Sequence, residues 1–93
     1  MVQDSDERLI DLMCHAIVNK SVAQKWGMIM TTREYLQGEG DLDSENVKEI
    51  VDSMEPLTNT DTLAQTLRAG GGFFEAIKKH GVFREVASVI GAA

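Results

Sequence analysis

The chain has 93 residues, 43% hydrophobic and 26% charged, with a formal net charge of −6. Those figures suit one domain with a packed core and exclude pervasive disorder. Cys14 is the only cysteine, so an intrachain disulfide is excluded and a reducing, cytoplasmic setting is expected.

The acidic start, MVQDSDERLI, lacks the basic segment and apolar run of a secretory leader. No apolar stretch approaches the ~20 residues that cross a bilayer. The charge is uneven along the single domain, 1–93. Residues 1–67 carry five basic side chains against thirteen acidic ones, giving −8, whereas residues 68–93 carry four against two, giving +2. An acidic body with a mildly basic end implies one of two contacts: the end packs on its own body, or it meets an acidic partner.

Helix signals dominate. Asp4 and Glu7 have capping-box spacing ahead of RLIDLMCHAIV. In that first helix Leu9, Leu12, Met13, Ala16 and Ile17 share a face, with Ile10 at its edge. Beyond Val18 the apolar direction turns by roughly 140° at 100° per residue, toward Val22, Trp26, Ile29 and Met30. Ser21 and Gln24 repeat the capping pattern at that point. Two helices, 5–19 and 22–37, are therefore predicted in place of one rod. Gly27 costs the second helix roughly 1 kcal/mol relative to alanine and is read as allowing close packing beside Trp26. Gly38 and Gly40 end the helix.

A third helix starts at Asp43 or Ser44, with Glu45 in its first turn. Val47, Ile50, Val51 and Met54 form its apolar stripe, and Pro56 stops it. Thr60 is the expected cap of a short fourth helix carrying Leu63, Ala64 and Leu67, closed by the glycines at 70–72.

In the last segment Phe73, Phe74 and Ile77 define one face. Val82, Phe83, Val86, Val89 and Ile90 centre on another, roughly 170° away under continuous winding. The reversal falls at Gly81, directly after Lys78, Lys79 and His80, and cations followed by glycine mark a helix C-terminus. The expected fold class is all-α: a compact bundle of five or six short helices, with an acidic body (1–67) and a basic C-terminal helix pair (68–93).

Four patterns invite chemical readings. The glycine run at 70–72 lacks the lysine and hydroxyl of a phosphate loop, so it reads as a turn. Asp41, Asp43, Glu45 and Asp52 echo calcium-loop spacing, but Asn46 replaces the turn glycine and aspartate replaces the closing glutamate. Asp11 and His15 lie four apart on a helix and could pair, yet Cys14 points about 100° away and no second ligand cluster accompanies them. Met13, Met28, Met30 and Met54, with Trp26 and Tyr35, read as core first and as an adaptable binding surface second. No catalytic residue, metal or cofactor is expected.

The expected role is a small, non-catalytic protein-interaction or regulatory module that self-associates as a homo-oligomer or meets a protein partner. Its contact surface is placed on the C-terminal helices, anchored by Phe73, Phe74, Ile77, Phe83, Val86 and Ile90 with Lys78, Lys79 and Arg84 at the rim. The alternative is a helix-turn-helix DNA reader over 61–80. The acidic body and the Phe-Phe start of the would-be reading helix argue against nucleic acid, and the few cations argue against a membrane anchor.

Overall fold

The computed structural model describes residues 2–39, 42–68 and 72–92, with side chains for 6–38, 42–67 and 72–92. Among them are six α-helices, one 3-10 turn and no strand: α1 (Val2–Val18), α2 (Val22–Glu39), α3 (Ser44–Met54), the 3-10 turn (Glu55–Thr58), α4 (Leu63–Arg68), α5 (Gly72–Lys79) and α6 (Phe83–Ile90). The compact all-α bundle expected from the sequence is the fold. No helix of the described residues is long and apolar enough to cross a membrane.

Local hydrogen bonds set most of the boundaries. Ser21 N–H donates to Gln24 Oε1 at 2.8 Å and Gln24 N–H donates to Ser21 Oγ at 3.1 Å, the reciprocal pair that separates α2 from α1. Asp43 Oδ1 accepts from Asn46 N–H at 2.9 Å and opens α3. Pro56 ends the α-winding, but the chain continues as the 3-10 turn, in whose first positions a missing N–H costs nothing. Gly81 has φ +72. Its N–H donates to the Lys78 carbonyl at 3.1 Å and Val82 N–H donates to the Ile77 carbonyl at 2.9 Å, a Schellman closure of α5 that allows the apolar face to reverse.

Several expected boundaries shift, and α2 runs through Gly38 to Glu39, past its expected end at 37. α1 begins at Val2, so Asp4 lies inside it and marks no start; the Asp4 side chain lies outside the described residues. Asn59 Oδ1 accepts from Asp61 N–H at 3.0 Å, and the Thr62 carbonyl takes the first helical bond from Thr66 N–H at 2.9 Å. The asparagine turn therefore moves the capping position to Thr62, past Thr60, and α4 starts at Leu63. The turn assigned to the glycines at 70–72 lies mostly outside the described residues, with only Gly72 inside, at the start of α5.

The core lies between α2, α3, α5 and α6. α3 packs on α2 and α5, while α6 is flanked by α1, α2 and α5. Val47, Ile50, Val51 and Met54 of α3 are all buried, as their spacing predicts. α5 and α6 contribute eight of the nineteen buried apolar residues among those described, so these two helices are core and no detachable tail. Removing that much apolar surface would leave too little burial to offset the chain's ordering entropy.

The inward face of α2 departs from the expected stripe. Lys25, Met28, Ile29, Thr32 and Leu36 are buried, whereas Val22, Trp26 and Met30 are exposed. The polar members are accommodated individually. Thr32 Oγ1 donates to the Met28 carbonyl at 2.9 Å. Lys25 is 2% exposed, and no buried side-chain nitrogen or oxygen among the described residues lacks a hydrogen-bond partner; its four-carbon stem supplies apolar packing in place of a leucine. Leu12 also turns outward, because α1 presents Met13 and Ile17 to the core with Ile10 and Cys14 beside them. Ala64 faces solvent as well.

Candidate functional site

The residues expected to form a contact surface divide sharply. Phe73, Phe74, Ile77, Phe83, Val86 and Ile90 are all buried in the chain's own core, with the Phe73 and Phe74 rings 5.1 Å apart at 48°. As folded, these six side chains present no outward apolar face. Lys78, Lys79 and Arg84 remain exposed. Lys78 Nζ sits 5.5 Å from the Phe83 ring centroid and ties α5 to α6 by a cation–π contact.

Lys79 and His80 turn toward the acidic body. Lys79 Nζ lies 3.4 Å from Glu49 Oε2 and His80 Nε2 lies 3.2 Å from Glu49 Oε1. Hydrogen bonding from His80 is the largest influence holding the Glu49 carboxyl below its ordinary value, and Lys79 acts in the same direction. The basic end therefore has an intramolecular acidic partner on α3. The segment 61–80 does hold two helices, α4 and α5, but α5 enters the core through Phe73 and Phe74 at the end where a reading helix would meet bases.

The other patterns are equally local. Asp11 and His15 are both exposed and no hydrogen bond joins them. Cys14 is half-buried, and its thiol is pushed up chiefly by burial and then by the Asp11 charge, which disfavours the nucleophilic thiolate. Of the calcium-like set, Asp43 is engaged as a helix cap, Asp52 pairs with Lys48 at 2.7 Å, and Asp41 lies outside the described residues. No group of three or more His, Cys, Asp or Glu side chains among the described residues could hold a metal. A cavity of about 270 Å³ beside Leu57, Leu67 and Phe74 offers only the hydroxyls of Ser53 and Thr66 among its described lining, with no ionisable group.

The sequence reading put Trp26 and Met30 in the core first and on a binding surface second; both lie on the outer face of α2. Val22, Trp26 and Met30 form one i, i+4, i+8 row at 49%, 45% and 60% exposure. Between positions 21 and 32 the only charged residue is Lys25, which is buried, so the exposed surface of this stretch carries no charge. In a chain that is 26% charged, twelve residues with a single charge are a legible gap. An uncharged patch centred on tryptophan and methionine has the composition of an interface core. No protein-family model, curated protein or solved structure matches the chain.

Proposed function

We propose that the protein is a small, non-catalytic interaction module whose contact surface is the outer face of α2. One observation carries this reading: Trp26, the only tryptophan in the chain, stands 45% exposed in an uncharged row while the core is filled without it. Exposing Val22, Trp26 and Met30 forgoes burial at about 25 cal/mol per Å² of apolar surface. A partner that covers the row recovers that free energy, and tryptophan is among the residues that dominate such contacts.

The reading moves the surface from the C-terminal helices to α2, because the C-terminal apolar side chains already have neighbours. A photo-crosslinking amino acid placed at position 30 of the full chain, in the producing cells, tests it against one placed at position 84. Adducts of increased mass at Met30 and none at Arg84 are expected. Adducts confined to Arg84 would return the contact to α6, and none at either position would remove the interaction role.

A further inference from the structure

We infer that the cavity where the end of α3, the 3-10 turn, α4 and α5 meet is a binding site for a small uncharged aromatic molecule bearing one polar group. The inference is separate from the α2 reading, because Val22, Trp26 and Met30 are not among the cavity's described lining.

Size is the first support. The cavity holds about 270 Å³, whereas domain interiors are close-packed and their voids rarely exceed a water molecule. An engineered apolar cavity of about 150 Å³ already takes up benzene. The space here suits one aromatic ring with a short substituent.

The wall is the second. Leu57, Phe73 and Phe74 are buried core residues, so the fold fixes these sides before any ligand arrives. The Phe73 and Phe74 rings, 5.1 Å apart and tilted by 48°, offer faces and edges to a third ring. Elsewhere the described lining includes the small side chains of Ser53 and Thr66, and Gly72. A Cβ built on Gly72 would meet nothing within 4 Å, and its φ is not positive, so neither crowding nor backbone conformation requires glycine there. Larger apolar residues at these positions would fill the space and stabilise the domain. The sequence leaves it open.

Polarity is the third. A buried water needs two to four hydrogen-bond partners. The Ser53 hydroxyl already donates to the Ile50 carbonyl, which leaves the Thr66 hydroxyl to meet an occupant. No charged side chain stands among the described lining, so a carboxylate or ammonium would be desolvated with nothing to pair it. The ligand is therefore neutral, with its ring against the two phenylalanines and its polar atom at Thr66 Oγ1.

The test titrates the purified full chain with p-cresol, toluene and benzoate and follows the methyl resonances of Leu57, Leu67 and Met30. p-Cresol should shift Leu57 and Leu67 saturably and leave Met30 unmoved, with benzoate at least about tenfold weaker. p-Cresol should also bind roughly two- to tenfold more tightly than toluene, and Thr66→Val should abolish that difference. Ser53→Leu, which fills the space, should raise the urea midpoint and weaken p-cresol at least about tenfold.

Shifts that are absent, unsaturable or equally large at Met30 would overturn the site. So would benzoate binding as tightly as p-cresol, or a cooperatively folded Ser53→Leu that binds like the unaltered chain. A p-cresol advantage that survives Thr66→Val would remove the assigned polar contact. Should Ser53→Leu not fold, the three-ligand comparison on the unaltered chain and the Thr66→Val result decide.

Discussion

Truncating Phe74 and truncating Trp26 should have unequal effects on the monomer, although the tryptophan is the larger side chain. Phe74 is 5% exposed and stacks with Phe73 inside the junction of α3 and α5. Phe→Ala at such a site costs about 3–5 kcal/mol, the sum of lost transfer and the space left behind. A domain of this length holds roughly 5–14 kcal/mol in total, so the variant loses about a fifth of its stability or more. At about 4–8 °C per kcal/mol for this size class, melting should fall by about 12–40 °C.

Trp26→Ala removes only the contacts on the covered side of a half-exposed ring and gains the better helix preference of alanine. Its loss should be at most about 2 kcal/mol. Both are measured by far-UV circular dichroism at low protein concentration, so that mass action from association does not enter the comparison. A Phe74→Ala shift under about 5 °C, or one equalled by Trp26→Ala, would refute the placing of Phe74 in the core and Trp26 on the surface.

At the same low concentration Gly27→Ala should stabilise the helix by about 1 kcal/mol, since nothing crowds the new Cβ; a lower melting temperature would show an internal contact at that position. Gly81→Ala should cost about 1–2 kcal/mol, because φ +72 places a side chain in the left-handed region, and an unchanged urea midpoint would contradict the Schellman closure. Cys14, held above its ordinary thiol value by burial first and Asp11 second, should react with a disulfide reagent near about pH 8 more slowly than in urea-unfolded chain; equal rates would place the thiol in open solvent. The folded value of Glu49 is depressed, so its contribution is present above the ordinary carboxylate value of 4.5 and lost as pH falls through the folded value. Glu49→Gln should accordingly flatten the acid limb of the urea midpoint across that window, and an unaltered slope would show that the His80 contact does not form in solution.

The parts of the fold legible in the sequence are those governed by a few neighbouring residues. Ser21 and Gln24 carry their reciprocal cap in their own side chains, Asp43 its cap for α3, and Gly81 the positive φ that closes α5. Val47, Ile50, Val51 and Met54 lie on one stripe with no rival, so their burial follows from spacing alone. The basic C-terminal end against an acidic body was readable as well, as two alternatives, of which the Glu49 contacts supply the intramolecular one for Lys79 and His80.

What tertiary structure alone decided is which of two faces a helix turns inward. α2 carries one row through Val22, Trp26 and Met30 and another through Ile29, Thr32 and Leu36, extended by Lys25, and nothing local ranks them. α3, α6 and the 3-10 turn pack on the second row, where the lysine stem and the back-bonded threonine both fit. The first row is left to solvent by elimination. The same holds for Phe73, Phe74 and Phe83, whose spacing marks two apolar faces but cannot say whether the neighbours of those faces belong to the same chain. Apolar attraction has no direction, so pattern identifies surfaces to be covered and only the assembled bundle determines what covers them.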